Sequence, residues 1–237
     1  MRRRAARSEP TPLHSVDSCV VLGGMRAVTC HISISLDGFV AGPNQSLDNP
    51  IGEGGLRLHE WVFATDSWRA QHGLSGGEHT ADAEIVDEVV QDVGAYIMGR
   101  KMFGGGSGMW DESWRGWWGE DPPYHVPVFV LTHHPREPLV MQGGTSFTFV
   151  TDGIESALRQ ARTAAGDGHV SIAGGASTVQ QYLAAGLLDE LDLHLVPIIL
   201  GAGERLLESV GDPTLEPVRV VASPGVTHMK YRVLHAS

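Results

Sequence analysis

Hydrophobic and polar positions along this chain follow two spacings in turn, and each change of spacing marks a passage from strand to helix or back. Val28 to Ser35 reads as a strand, closed by the turn residues Leu36-Asp37-Gly38. Ile85, Val86, Val89, Val90 and Val93 fall on one face at helical spacing, and Ala95 to Met98 follows as a short buried strand ending at Gly99-Arg100. Pro127 to Thr132 and Ser146 to Val150 are further strands. Asp152, with Glu155 three positions on, has the form of a capping box for a helix whose apolar stripe is Ile154, Ala157, Leu158 and Ala161. Val170 to Ala173 predicts a strand, and Gly174-Gly175 then leads into a helix with Val179, Tyr182 and Leu183 inward. Leu191, Leu193 and Leu195 alternate with Asp192 and His194, the period of a strand with one wetter face. Val218 to Val221 and Met229 to Val233 predict an antiparallel hairpin through Pro224-Gly225. The sum is an α/β domain with a mostly parallel sheet and an antiparallel end.

Two segments break this rhythm. Residues 43–79 and 104–123 predict long loops, the first with a short helix around Leu56 to Ala70, and together they hold all six tryptophans. Residues 1–26 carry an arginine-rich start and two prolines, and predict a disordered extension in which Met25 is an alternative start. The expected fold is one domain over 27–237.

Charge narrows the function. With 28 acidic and 17 basic residues the net charge is −11, opposite to what a phosphate-backbone grip requires, so nucleic-acid binding is not expected. No apolar run approaches the roughly 18 residues of a membrane span, and the chain is expected to be cytoplasmic. The two cysteines, Cys19 and Cys30, support neither a disulfide framework nor a thiolate metal site.

Three strand ends carry candidate chemistry, because ligands collect at the carboxyl ends of strands in open α/β sheets. Gly99-Arg100-Lys101 offers close backbone approach and a guanidinium that can fork onto phosphate. Thr132-His133-His134 places a hydroxyl and imidazoles at a second strand end. At the third, Gly174-Gly175-Ala176-Ser177-Thr178 sets a glycine pair and small hydroxyl residues at a helix start, which suits a diphosphate. Among the twelve histidines none stands at H-x-H or H-x-x-x-H spacing, and His133 and His134 on an extended segment point to opposite faces, so no metal site is expected.

With Ser33-Ile34-Ser35-Leu36-Asp37-Gly38-Phe39-Val40-Ala41-Gly42, Met98-Gly99-Arg100-Lys101-Met102-Phe103, Ala173-Gly174-Gly175 and Pro197-Ile198-Ile199-Leu200-Gly201-Ala202-Gly203, the chain resembles the dihydrofolate-reductase-like superfamily. Within it, the resemblance is to the reductase domain of the riboflavin-pathway deaminase-reductase and its stand-alone bacterial relatives. The resemblance implies a three-layer fold with helices on both faces of about eight strands, an NADPH cofactor and a homodimer. It implies that Gly99, Arg100 and Lys101 hold the adenosine-side phosphates, Thr132, His133 and His134 the 2′-phosphate, and Gly174 to Thr178 the diphosphate. The chain departs from the riboflavin-pathway reductases at Ala173, where they place a glutamate that holds the pyrimidine substrate. A deaminase half, with its P-C-x-x-C zinc ligands, is not present in the chain.

Hydride transfer from a dihydronicotinamide also requires one proton. Asp37 is the expected donor or orienter, and Glu60, beside Trp61, or Asp66 takes the place of the acidic residue that dihydrofolate reductases carry after the first loop. Trp61, Trp110 and Ala173 are expected against a planar substrate. The expected activity is NADPH-dependent reduction of a small planar heterocyclic or carbonyl substrate. The alternatives are 5-amino-6-(5-phosphoribosylamino)uracil reduction, pterin reduction, and a dinucleotide-binding protein without turnover.

Overall fold

The structure is a computed structural model that describes residues 26–106 and 108–235. Most of the extension expected over 1–26, with Cys19, lies outside the described residues. The chain runs β1 (Val28–Ser35), β2 (Phe39–Ala41), α1 (Glu60–Phe63), α2 (Asp66–Gln71), α3 (Ala81–Val90), β3 (Val93–Gly99) and α4 (Arg100–Phe103). It continues with β4 (Pro127–Leu131), β5 (Leu139–Val140), β6 (Ser146–Val150), α5 (Ile154–Ala165), β7 (His169–Gly174), α6 (Ala176–Ala184) and β8 (Glu190–Val196). The last elements are β9 (Glu204–Arg205), β10 (Thr214–Ala222) and β11 (Thr227–Leu234).

Nine strands form one sheet in the order β10-β11-β8-β1-β7-β3-β4-β6-β5, while β2 and β9 form a small antiparallel ribbon. The run from β8 to β6 is parallel, and β10, β11 and β5 join antiparallel. Cys30 faces Leu191 and Ile97 faces Ile172 across this run. Parallel strands need crossover connections, and α5 and α6 supply two of them.

Alternation along each strand distributes the core. On β3, Ala95 and Ile97 face the layer built by Ala157, Leu158, Ala161, Val179, Tyr182 and Leu183. Tyr96 and Met98 face the opposite way, onto Phe103, Trp110, Val128 and Phe147. Tyr182 Oη donates to the Ile154 carbonyl at 2.8 Å, tying α6 to α5. Each fully buried side chain of this size contributes about 1.5–3 kcal/mol.

Several sequence expectations change. Gly153, with φ 93°, heads α5 without a side-chain cap, so the Asp152–Glu155 capping box does not form. The face of β8 that bears Asp192 and His194 is buried, because Leu58 in the turn before α1, Trp61 of α1, and Ile85 and Val86 of α3 cover it. His194 and His228 meet there Nδ1 to Nδ1 at 2.9 Å, and His228 Nε2 lies 3.0 Å from Asp82 Oδ1. The acidic segment 82–88 is therefore tied into the fold rather than simply solvated, and its Glu88 also pairs with Arg219. The short helix expected around Leu56 to Ala70 forms as two, α1 and α2, which carry Trp61 and Trp68. Among the described residues no helix is long and apolar enough to cross a membrane.

Candidate active site

The carboxyl ends of β3, β4 and β7 open into a cavity of about 800 Å³. All eleven residues expected at a cofactor line it: Gly99, Arg100, Lys101, Thr132, His133, His134, Gly174, Gly175, Ala176, Ser177 and Thr178. Topology brings them together, since β7, β3 and β4 are adjacent in the sheet although the carboxyl ends of β3 and β7 lie 75 positions apart in the chain. The opposite wall comes from the β1–β2 side, through Val40, Ala41, Gln45, Ile51 and His59.

Small residues shape this floor. A side chain at Gly99 would place its Cβ 2.5 Å from Thr178 Oγ1, so glycine is what lets the end of β3 pack against the head of α6. At Gly175 the corresponding Cβ position meets nothing within 4 Å, which makes the missing side chain part of the open cavity. Gly175 is the N-cap of α6 and makes no side-chain cap, leaving the positive end of the helix in the cavity wall.

Arg100 defines the charged end. Its guanidinium lies 3.3 Å from the centre of the Trp110 ring, and Nη1 is 3.4 Å from Thr132 Oγ1. Nε and Nη2 are buried without a hydrogen-bond partner. Behind it, Arg136 stacks over the same indole at 5.1 Å with its side chain fully buried, its Nε 3.5 Å from Glu112 Oε2 and its Nη2 donating to the Glu112 and Trp114 carbonyls. Burial, together with the neighbouring Arg136 charge, lowers the Arg100 pKa. The partly desolvated Arg100 guanidinium at the cavity wall, with two nitrogens unpartnered, fits an anion with several acceptor oxygens.

The remaining expected residues divide. Ala173 lines the cavity immediately before the glycine pair. Trp110 lies beneath Arg100, packed on Phe103 and Phe149, with Nε1 donating to the His134 carbonyl at 2.8 Å. It supports the cationic end and does not form the substrate wall. Trp61 is buried between His194 and His228 and donates through Nε1 to Ser33 Oγ, so it too lies away from the cavity lining. Trp117 and Trp118 are the tryptophans that line the cavity. His133 and His134 both line it, because the chain bends after β4 and does not continue extended.

Neither expected proton donor lies in the lining. Asp37 accepts from Ser35 Oγ at 2.7 Å and from the Leu200 and Gly201 amides at 3.1 and 2.7 Å. The serine bond foremost, then these amides, holds its pKa down to about 2, which makes it an ionised clamp between the β1–β2 turn and the 200–201 loop. Glu60 is exposed on α1, and Asp66 on α2 accepts from His79 Nδ1 at 3.0 Å; neither lines the cavity. Lys101 pairs with Glu204 at 2.9 Å, which commits its charge to a bridge between α4 and β9.

Sequence reasoning missed Arg136, His59 and Glu204. Arg136 stands four positions past Thr132, and proximity to a strand end was its one visible signal. His59 is the immediate neighbour of Glu60, a difference of one position that only the helix register resolves. Among the described residues no group of three or more potential ligands could hold a metal ion.

Comparison with known proteins places this architecture. No curated protein matches the chain. A putative riboflavin biosynthesis protein from Shewanella sp. PV-4 matches in structure with a TM-score of 0.57 at 22% identity, over 89% of this chain and all of that one. RibD from Acinetobacter baumannii matches with a TM-score of 0.52 at 14% identity, over 90% of this chain and 59% of its own. The diaminohydroxyphosphoribosylaminopyrimidine deaminase/5-amino-6-(5-phosphoribosylamino)uracil reductase from Thermotoga maritima gives 0.50 at 15%, over 88% and 57%. The chain thus spans little more than half of the latter two proteins, and all three share its fold. The family model described as the RibD C-terminal domain matches residues 26–229, and the chain accordingly belongs to the RibD C-terminal domain family of oxidoreductases.

Proposed function

We propose that this protein is an NADPH-dependent reductase of a planar heterocycle of the aminouracil class. The observation that carries this reading is the cavity's polarity. Its β3–β4 end presents Arg100 and Thr132, with no described carboxylate bonded to Arg100, and its middle presents Gly175 at the head of α6. The fit is to a dinucleotide with an extra phosphate: Arg100 and Thr132 would hold the 2′-phosphate, and the first turn of α6 the diphosphate. When bound, such a cofactor supplies hydride, and the chain's own residues bind, orient and provide the proton.

The reactive end then lies toward β1 and β7. From β4 to β1 there are three strand spacings, about 14 Å at roughly 4.8 Å each, a span that a dinucleotide bridges. Ala173, at the end of β7, presents only a methyl group to that end, while Trp117 and Trp118 line the cavity from the α4 and β6 side, Trp118 stacking on Phe147. Family membership favours an aminouracil over a carbonyl substrate, and 5-amino-6-(5-phosphoribosylamino)uracil is the first compound to assay.

The test is a thermal-shift series followed by turnover. A ligand at 100 times its Kd stabilises by about 2.7 kcal/mol, or roughly 5–10 °C for a domain of this size. NADPH should give such a shift at concentrations where NADH gives little. Consumption of NADPH should then depend on the aminouracil. Equal shifts, or none, would remove the cofactor assignment, and NADPH binding without substrate-dependent consumption would remove the reductase assignment.

A further inference from the structure

The geometry points to His59 as the proton donor to the substrate in this cavity, an inference that rests on the reductase reading above. Reduction of a C=N or C=O group places hydride on carbon and requires a proton on the heteroatom. Neither Asp37 nor Glu60 lines the cavity, so neither stands where that proton is needed.

The ionisable side chains that do line it sort by position. Arg100, His133 and His134 belong to the β3–β4 end, and Lys101 and Glu204 are committed to each other at 2.9 Å. Among the described lining residues of the wall from 40 to 59, His59 is the ionisable one. Its ring makes no hydrogen bond to any described residue, and its nitrogens are not among the polar atoms sealed from solvent. A half-buried imidazole with free, accessible nitrogens in a cavity wall can present an N–H to a bound molecule.

The backbone around it is fixed. The His59 amide donates to the Leu56 carbonyl at 2.9 Å, its own carbonyl accepts from Val62 at 3.0 Å, and the ring packs against Phe63 at 6.4 Å. Trp61, two residues on, is locked to Ser33 of β1. These contacts position the imidazole on the side of the sheet where the reactive end lies.

The step balances simply. The substrate carbon accepts hydride, the adjacent nitrogen or oxygen takes a proton from the His59 imidazolium, and the neutral imidazole is reprotonated from water. Burial lowers the His59 pKa below its ordinary 6.5. The titratable groups around it are His194 from β8, Arg57 and Glu60 on the exposed flanks of its own segment, and the Lys101–Glu204 pair across the cavity. Turnover should therefore rise as pH falls toward a midpoint below 6.5, within the range where circular dichroism shows the protein folded.

His59→Gln keeps a hydrogen-bonding side chain but cannot supply the proton. The variant should retain the NADPH thermal shift, lose about 10²–10⁴-fold in kcat on 5-amino-6-(5-phosphoribosylamino)uracil with little change in KM, and lose the acidic limb of the pH profile. A readout without turnover is the histidine Cε1–H NMR resonance that disappears in this variant. In the wild-type protein it should titrate below 6.5 and shift when 5-aminouracil is added to the NADP⁺ complex. An NADPH-binding His59→Gln variant with unchanged kcat and pH profile, or a resonance indifferent to 5-aminouracil, overturns the His59 assignment alone. Wild-type protein that binds no NADPH overturns the reductase reading and this inference with it.

Discussion

Arg100→Gln tests the charged end of the cavity most directly. Glutamine retains reach over Trp110 but removes the guanidinium, its stacking at 3.3 Å and the two buried nitrogens that lack partners. In the free protein the opposing effects are of similar size. Losing the cation–π contact costs about 0.5–2 kcal/mol, and relieving two unpartnered buried nitrogens beside the Arg136 charge returns about the same. The melting temperature of the free variant should therefore move by only a few degrees. Cofactor binding should respond differently. One or two hydrogen bonds to a charged phosphate, at about 1.5–3 kcal/mol each, discounted for hydration at the cavity edge, give a loss of about 2–3 kcal/mol for NADPH, or roughly 30- to 150-fold in Kd. NADH lacks that phosphate and should weaken by less than about threefold. Isothermal titration calorimetry with both cofactors at one fixed ionic strength measures the two ratios. A loss of equal size for NADPH and NADH would show that Arg100 does not meet the 2′-phosphate.

Three further outcomes follow from the geometry. Gly175→Val adds a side chain into open cavity at an ordinary negative φ of −72°, so it should fold normally yet abolish the NADPH thermal shift; a retained shift would place the diphosphate elsewhere. Gly99→Ala forces Cβ against Thr178 Oγ1 and should cost about 1–3 kcal/mol of unfolding free energy in urea, whereas an unchanged midpoint would show that this contact yields freely. Acid should destabilise the fold through its buried imidazoles, because burial lowers His31 to about 4 and His194 well below 6.5. The unfolded chain then takes up protons first, and stability is lost as pH falls from about 6.5 toward 4. Asp192, raised by burial to about 6, opposes this over the same interval, since its folded carboxyl holds a proton more tightly than the unfolded one. With His59, also lowered by burial, three imidazoles against one carboxyl leave a net loss, and a urea midpoint that holds or rises on acidification would contradict that balance.

Local patterns carried most of the architecture. The strand from Val28 to Ser35, the helix with Ile154, Ala157, Leu158 and Ala161 inward, and the Pro224-Gly225 hairpin stand where hydrophobic period and turn residues put them, because those signals act within a few residues of one another. The glycine pair and Arg100 were legible for the same reason, as both sit directly at strand ends. What tertiary structure alone decided was which side chains face each other across many residues. The polar face of β8 is buried because α1 and α3, some hundred positions earlier, fold over it and pair Asp82 with His228. Trp117 and Trp118, not Trp61 and Trp110, reach the cavity, and His59 reaches it where Glu60 does not, because loop path and the rotation of a single turn are set by packing against the sheet and not by residue type.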